Sequence, residues 1–391
     1  MSAAPDVVVV GAGVVGAACA LAAARRGLRV TVVDRGPVAG GTTGAGEGNL
    51  LVSDKAPGPE LDLALLSLRL WDDVDGHVRA VTGRGFELEH KGGLVVASDG
   101  QVLAGLRGSA DRQRAAGILA EDVAAGDLAG HEPHLAPGLA GGVRYPQDAQ
   151  VQPMLAAALM LRAARDLGCA VRTGTEVTGM LRDGDRVTGV RTSDGDLPAG
   201  AVVNAAGTWG GQVAALAGVN VPVLPRRGVI LVTQPLPVLV RHKVYAAEYV
   251  GDVASDDAAL QTSAVVEGTA SGTVLIGASR ERVGYDPVVP VEVVRRLAAQ
   301  AVRLFPVLAS ARLMRTYRGF RPYCPDHLPV IGPDPRAPGL LHACGHEGAG
   351  VGLAAGTGEL VAQVLAGVRP SLDLAPFRPE RFEAVGGRRV A

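Results

Sequence analysis

The sequence predicts an α/β fold that contains two different sheets, one parallel and covered by helices, the other mainly antiparallel. Both ends of the chain alternate buried strand patterns with helix patterns, which is typical of a parallel sheet. The middle, between residues 221 and 278, consists mostly of strand patterns such as GVILVTQ and GTVLIGA. Strands that follow one another without helices favour antiparallel pairing. The parallel domain is therefore expected to be discontinuous in sequence.

The chain begins with a strand–turn–helix–strand unit between Asp6 and Arg35. Its predicted strands are 7–10 and 30–33, and Asp34 ends the second of them. Three glycines open the helix with the spacing G-x-G-x-x-G: Gly11, Gly13 and Gly16. In this motif the glycines permit a tight turn, close approach of a pyrophosphate and close packing of helix on strand. The helix start also attracts phosphate, since its N–H groups are unpaired.

Asp34 lies eighteen residues after Gly16, at the position where a carboxylate hydrogen-bonds a ribose 2′-hydroxyl. A carboxylate there disfavours a 2′-phosphate, so NADP is not expected. The same stretch has a competing interpretation, because residues 7–24 carry no charge and approach the ~20 residues that span a bilayer. The preceding MSAAPD lacks Lys and Arg, and a signal peptide needs a positive start. We therefore expect no transmembrane segment.

Composition excludes several other classes of protein. The 391 residues suffice for two or three domains. The 38 basic and 39 acidic residues nearly cancel without a run of like charge, which argues against nucleic-acid binding. The four cysteines form no C-x-x-C pair and no zinc-like spacing. We expect a reduced, cytoplasmic protein without a metal site.

The remaining elements follow from apolar periodicity and from glycine and proline breakers. The patterns predict, in chain order, a helix over 60–82, strands with a Gly-Gly turn over 86–97, helix and loop over 111–131, a helix over 153–167, short strands at 169–173, 176–181, 186–192 and 201–204, strands between 221 and 278, a helix over 291–305, and a strand at 340–344 before a last helix from about 350. We assign residues 1–82, 145–215 and 325–391 to the nucleotide-binding domain and residues 83–144 and 216–324 to a substrate-binding domain.

Three further segments resemble the D-amino-acid oxidase and glycine oxidase family of flavoproteins, and the resemblance spans nearly the whole chain. They are GGTTGAGEGN at 40–49, AVVNAAGTWG at 201–210, and RGFRPYCPDHLPVIG at 318–332 followed by HACGHEGAGVGLA at 342–354. The last pair is the most specific. A helix that begins near Gly350 would direct N–H groups at the flavin edge where negative charge gathers on reduction.

The resemblance implies a Rossmann-type FAD-binding domain with the following FAD-binding residues: Gly11, Gly13, Val14, Val15, Gly16, Asp34, Arg35, Thr42, Thr43, Gly44, Ala45, Gly46, Glu47, Gly48, Val177, Ala205, Ala206, Gly207, Trp209, Gly345, His346, Gly348, Ala349, Gly350 and Val351. Relatives of the sarcosine oxidase type attach flavin to a cysteine just before the proline block. Gly319 occupies that position here, so we expect non-covalent FAD.

The resemblance also suggests a substrate site. Arg321 would bind the substrate carboxylate with its two-pronged guanidinium, although a surface ion pair of Arg321 or Arg318 is the alternative. Tyr323 would add a hydroxyl, or else pack in the core. Tyr245 and Tyr249 are expected to point together into the pocket. We interpret Glu47 and His346 as polar lining rather than as acid and base.

The implied reaction is hydride transfer from a substrate carbon to flavin N5, which gives an imine and then a keto acid. The substrate would be a D-amino acid, glycine, or a cyclic or N-substituted amino acid or amine. Gly348 stands where glycine oxidases carry an arginine, which puts glycine in doubt. The segment HKVYAAEYVGD resembles dehydrogenase subunits for glycine (hydrogen-cyanide-forming), opines and D-hydroxyproline.

Three functions therefore stay open at this point: an oxidase that uses oxygen, a dehydrogenase subunit that passes electrons to a quinone or partner protein, and a non-catalytic flavin- or NAD-binding module. The sequence also leaves open whether the chain forms a homo- or hetero-oligomer.

Overall fold

The computed structural model describes residues 4–249 and 256–382. The helices whose bounds are fully described are α1 (Val14–Arg25), α2 (Pro59–Thr82), α3 (Gly100–Ala115), α4 (Leu128–His131), α5 (Pro153–Asp166), α6 (Gly210–Leu216), α7 (Val291–Leu304) and α8 (Gly350–Leu365). The strands are β1 (Val7–Val10), β2 (Val30–Asp34), β3 (Asn49–Leu50), β4 (Gly93–Ala97), β5 (Glu121–Ala124), β6 (Gly141–Tyr145), β7 (Ala149–Gln150), β8 (Ala170–Thr173), β9 (Val177–Asp183), β10 (Arg186–Thr192), β11 (Gly195–Pro198), β12 (Ala201–Asn204), β13 (Leu224–Thr233), β14 (Lys243–Ala246), β15 (Gln261–Gly268), β16 (Val274–Arg280), β17 (Leu313–Tyr323), β18 (Val330–Pro333) and β19 (Leu340–Cys344).

The first sheet has six strands in the order β18-β19-β12-β1-β2-β8. Its pairs are parallel except for β18 with β19, which is antiparallel. Val7 and Val9 of β1 and the small residues of α1 share one core with α5 and α8. This layered arrangement confirms the predicted α/β class and brings the carboxyl ends of β1 and β2 to one edge, where ligands bind in such folds.

The second sheet has eight strands in the order β17-β13-β16-β15-β14-β4-β6-β5. All of its neighbours run antiparallel except β14 and β4. The amphipathic helix α7 buries Leu297 and Leu304 in one core with Val229 and Leu231 of β13. Because side chains alternate along a strand, residues 226, 228 and 230 of β13 face the other way, towards the first sheet.

The strands are distributed between the two sheets much as the domain prediction requires. Every strand of the six-stranded sheet lies within 1–82, 145–215 or 325–391. Every strand of the eight-stranded sheet lies within 83–144 or 216–324, apart from the last residue of β6. The domain boundaries themselves stay a prediction.

Three local predictions were wrong. Residues 86–97 contain one strand, β4 (Gly93–Ala97), and not a hairpin, because the residues before the Gly-Gly pair make only an isolated bridge from Glu89 to Gln150. The region 111–131 contains the end of α3 and the short helix α4, as predicted, but it also contains an unexpected strand, β5, which pairs with β6. The segment from His242 is a strand only to Ala246.

Within residues 4–249 and 256–382, we find no helix with the length and apolar character needed to cross a bilayer. The same part of the chain contains no group of His, Cys, Asp or Glu side chains placed to hold a metal ion.

Candidate functional site

A cavity of about 640 Å³ connects the two sheets. At one end it is lined by Val10 and Val33, which lie at the carboxyl ends of β1 and β2. At the other end it reaches Ile230 of β13 and Arg321 of β17. Its volume lies within the range of roughly 300–1,000 Å³ that is usual for ligand sites. The cavity therefore brings the glycine motif and the predicted substrate anchor into one site.

The glycine turn has the geometry that its motif predicts. Gly11 has φ +116°, and a Cβ there would overlap the carbonyl oxygen of Ala205. Gly13 is the N-cap of α1 and lines the cavity without a capping side chain. Gly16 lies behind the turn, where a Cβ would overlap the carbonyl oxygen of Gly11. A side chain at Gly11 or Gly16 would therefore overlap the backbone and distort the turn.

The carboxylate of Asp34 ties two loops together at the edge of the cavity. One oxygen accepts a hydrogen bond from the backbone N–H of Ala12 and the other accepts one from the N–H of Gly36, each at 2.7 Å. Next to it, the guanidinium of Arg35 lies 4.5 Å from the ring centroid of Trp209. Asp34, Arg35 and Trp209 all line the cavity. This end therefore has a carboxylate that can accept a hydrogen bond from a ligand hydroxyl, and flat side chains on which a ligand ring can stack.

The loop at 40–49 is held by its two threonine hydroxyls. Thr43 accepts a hydrogen bond from the N–H of Val14 at 3.0 Å, which ties the loop to the start of α1. Thr42 donates to the carbonyl oxygen of Phe320 in β17 at 2.6 Å. These bonds hold a loop of small residues along the cavity between the two sheets.

The start of α8 also lines the cavity, next to this loop. Its N-cap, Ala349, has no side-chain capping bond, so the N–H groups of the first turn have no side-chain partner at the cap. Gly348, Gly350 and Val351 line the cavity. Such a helix start favours negative charge on a bound group.

The residues present therefore fit a bound dinucleotide. The predicted cofactor residues that line the cavity are Gly11, Gly13, Val14, Val15, Asp34, Arg35, Thr42, Thr43, Ala45, Gly46, Glu47, Gly48, Val177, Ala205, Ala206, Gly207, Trp209, His346, Gly348, Gly350 and Val351. Four predicted residues do not line it but pack behind it: Gly16, Gly44, Gly345 and Ala349. Among the lining residues that the sequence did not indicate are Gly36, Gln212, Gly228, Ile230 and Glu347.

Arg321 lies at the end of the cavity away from Asp34. It is half-buried and packs over Gly228, where a Cβ would overlap its guanidinium. One Nη donates to the carbonyl oxygen of Ser279 at 2.8 Å. Burial, together with the neighbouring charge of Arg280, lowers the pKa of Arg321 to about 10, which leaves it protonated at neutral pH. This guanidinium forms no ion pair with a carboxylate within the described ranges. An anionic group of a ligand could therefore form an ion pair with it.

Of the two tyrosines predicted to share the pocket, only Tyr249 lines it. Tyr245 is fully buried behind Tyr249, with ring centroids 5.1 Å apart. Its hydroxyl donates to Ser53, whose own hydroxyl donates to Asp148. The strand ends at Ala246, so the two tyrosines do not lie on one face of a strand, and the expectation that both point into the pocket is wrong for Tyr245. Tyr245 supports the wall of the cavity from behind.

Asp148→Asn is expected to remove a pH dependence of stability. Burial raises the pKa of Asp148 to about 7, whereas an aspartate in an unfolded chain titrates near ~3.9. Between these values the folded protein binds a proton that the unfolded chain does not, so stability falls as pH rises through this window. Asparagine does not titrate, so its Tm relative to the wild type should be higher at about pH 8 than at about pH 5.

The control for this measurement is Asp166→Asn, at an exposed position at the end of α5. This substitution changes an exposed side chain and no buried carboxyl, so its effect on the Tm should be small at both pH values. An equal Tm difference at both pH values for Asp148→Asn would contradict a raised pKa at this carboxyl.

Tyr323 does not line the cavity, which corrects its predicted place beside the substrate carboxylate. It is buried at the end of β17, and its hydroxyl donates to Asp256 at 3.0 Å. Its ring packs 5.5 Å from that of His327. The alternative interpretation of Tyr323, core packing, describes its position better.

His346 lines the cavity as expected. Its Nε2 lies 3.0 Å from the hydroxyl of Thr357 in α8. Burial lowers the pKa of His346 to about 3, so the imidazole is neutral at physiological pH. A neutral ring with one nitrogen already engaged suits polar lining better than acid–base chemistry.

All four cysteines of the chain are buried, and none lines the cavity in the part of the chain that the structure describes. Gly319 does line it, against Ala45. None of the four thiols lies on the cavity wall, and non-covalent attachment of FAD stays a prediction.

Comparison with known proteins places this geometry in a family. The model of the FAD dependent oxidoreductase (DAO) family matches residues 6–364. The chain is 32% identical to hydrogen cyanide synthase subunit HcnC of Pseudomonas aeruginosa, over 97% of this chain and 96% of that protein. It is 31% identical to the glycine oxidase of Pseudomonas putida, over 96% of this chain and 98% of that protein.

A solved structure shows the same fold. The crystal structure of glycine oxidase from Geobacillus kaustophilus superposes with a TM-score of 0.87 at 28% identity, covering 99% of both chains.

Proposed function

The chain belongs to the FAD dependent oxidoreductase (DAO) family, and from this we propose that it oxidises the C–N bond of a small amino acid in the cavity between its two sheets. Family membership makes it an FAD-dependent amino acid oxidoreductase. The proposal concerns the substrate: an amino acid with a free carboxylate, either a D-amino acid, glycine, or a cyclic or N-substituted amino acid.

One observation carries the proposal, namely that Arg321 lies on the wall of the same cavity as the glycine turn. A guanidinium suits a carboxylate because its N–H groups can make two parallel hydrogen bonds. Tyr249 and Ile230 add apolar wall beside it, which favours a small side chain or ring. The cavity thus offers one charged anchor with an apolar surround.

Each residue on the cavity wall would have a distinct role. Arg321 binds and orients the carboxylate, and Tyr249 limits the space beside the reacting carbon. His346, which is neutral, contributes polarity without carrying a proton. Bound FAD supplies an acceptor for the hydride of that carbon. The glycine turn, Asp34, the loop at 40–49 and the start of α8 would hold the FAD.

The test is a turnover screen of the purified holoenzyme. The panel contains glycine, N-methylglycine, iminodiacetate, D-alanine, L- and D-proline, and D-hydroxyproline, with a dye as electron acceptor. We expect turnover with at least one member, with formation of the corresponding imine or keto acid. Absence of turnover across the panel and across the other D- and L-amino acids would overturn the proposal.

A second candidate function is a dehydrogenase subunit that passes electrons to a quinone or partner protein. It is supported by the 32% identity with a protein named as a subunit of hydrogen cyanide synthase. The same screen separates the two functions when it is repeated with oxygen in place of the dye. Fast peroxide formation favours an oxidase, and turnover that needs the dye favours a dehydrogenase.

A further inference from the structure

Glu47 is a nearly enclosed carboxylate on the wall of the cavity. Its Oε2 accepts a hydrogen bond from Asn49 at 3.1 Å and lies 3.4 Å from the ammonium of Lys243. Its Oε1 has no hydrogen-bond partner among the described residues and lies against Gly277, where a Cβ would overlap it. A buried carboxylate oxygen without a partner is costly, and a ligand N–H would satisfy it.

The neighbouring charges leave this carboxylate underpaired. Lys243 is buried between two carboxylates and makes its shorter contact, 2.7 Å, with Glu267. Burial alone would lower the pKa of Lys243, but Glu267 and Glu47 raise it, so the ammonium stays charged. The ammonium of Lys243 thus contacts both carboxylates and lies closer to that of Glu267 than to that of Glu47. The charged or titratable groups nearest to Glu47 are Lys243, Glu267, Tyr317 and Arg321.

The strand register sets the distance between Glu47 and Arg321. Arg321 packs over Gly228 of β13, and Glu47 packs over Gly277. Because Leu231 pairs with Ile276 in antiparallel register, Gly277 lies opposite Ile230. The backbone positions under the two side chains are therefore two residues apart along the strand, roughly 7 Å, and one strand apart, roughly 5 Å. An α-amino acid that makes a polar contact of about 3 Å at each end spans a distance of this order.

In place of the earlier interpretation of Glu47 as polar lining, we propose that Glu47 binds the amino nitrogen of the substrate and accepts the proton that this ammonium must lose before oxidation. An N–H bond breaks, an O–H bond forms on Oε1, and the electron pair stays on nitrogen. Arg321 and Glu47 together then recognise the carboxylate and the amine. Lys243 is a positioning residue that holds Glu47 through Oε2. This inference rests on the proposed function and makes the substrate class one with both a carboxylate and a protonated amine.

The experiment compares two probes on the holoenzyme. Binding of the amine that the panel identifies is followed anaerobically by flavin reduction, and binding of propionate, which lacks the amine, by the perturbation of the flavin spectrum. In Glu47→Gln the amine should bind roughly 10- to 100-fold more weakly, since a hydrogen bond to a charged group is lost. Propionate affinity should be unchanged when the variant and the wild type are compared at equal flavin loading. In the same variant, the rate of flavin reduction should begin to fall at a higher pH than in the wild type as the solution is made more acidic.

Two further variants make the result specific. Glu47→Asp retains a carboxylate, so it should keep the pH profile of the wild type with weaker amine binding. The control is Glu121→Gln. It changes an exposed carboxyl that pairs with Arg144 and lies on β5, an edge strand of the eight-stranded sheet. Unchanged amine binding and pH profile in Glu47→Gln would overturn the inference, and so would an equal loss for amine and propionate. If no amine reduces the wild type, the proposed function fails, and this inference with it.

Discussion

Arg321→Ala is expected to weaken apparent substrate binding by roughly two to three orders of magnitude, because loss of one partner of a buried ion pair costs ~3–5 kcal/mol. The guanidinium lies at the end of the cavity opposite Asp34 and contacts Gly228 and the carbonyl oxygen of Ser279. Neither contact involves the glycine turn, so FAD content should equal that of the wild type. The measurements are the substrate dependence of flavin reduction and the flavin-to-protein ratio.

The matched control is Arg315→Ala, which removes an exposed arginine from the same strand, β17, outside the cavity. Its substrate dependence should be that of the wild type. Arg321→Lys should recover part of the loss, because it restores the charge but not the two-pronged geometry. Normal substrate saturation in Arg321→Ala would show that the carboxylate is bound elsewhere.

Gly16→Ala is expected to abolish most FAD binding and to destabilise the protein. The added methyl would overlap the carbonyl oxygen of Gly11, so α1 must move away from the glycine turn. A backbone atom cannot give way as a flexible side chain can, and overpacking of this kind typically costs ~1–3 kcal/mol or more. The flavin-to-protein ratio and the Tm report the two effects.

Gly76→Ala is the matched control, since it makes the same substitution inside a helix. Gly76 lies in the exposed part of α2, and a Cβ there would meet no atom within 4 Å. Replacement of a helical glycine by alanine should stabilise by up to ~1 kcal/mol, with normal FAD content. Equal flavin content in Gly16→Ala and Gly76→Ala would contradict the role given to the turn.

The nucleotide half of the site could be predicted from sequence because its determinants are local. Gly11, Gly13 and Asp34 lie within one strand–turn–helix–strand unit, where spacing alone fixes their relative positions. Arg321 was identified by resemblance, and the structure places it on the cavity wall. The roles of these residues in binding stay predictions until the variants are measured.

The positions of the predicted substrate-binding side chains depend on tertiary contacts, which residue spacing does not determine. Tyr245 and Tyr249 were expected to share a face, but the strand ends between them, so only Tyr249 lines the cavity. Tyr323 follows Arg321 by two residues, yet it lies past the cavity at the end of the strand, with its hydroxyl on Asp256.

Long-range contacts also account for the residues that sequence reasoning missed or underestimated. Glu47 and Lys243 are separated by almost two hundred positions, and their side chains meet through the tertiary fold alone. Gly228 lines the cavity because β13 pairs with β17 in the register that puts it under Arg321. No local pattern specifies either contact.

The central claim is that one cavity holds FAD beside a carboxylate-anchored amine. The most direct test is anaerobic mixing of the purified holoenzyme with the amino acid panel while the visible absorption of the flavin is recorded. The account predicts that at least one amino acid bleaches the flavin, and that propionate slows this bleaching by competition at Arg321. A flavin that dithionite reduces but that no amino acid bleaches would contradict it.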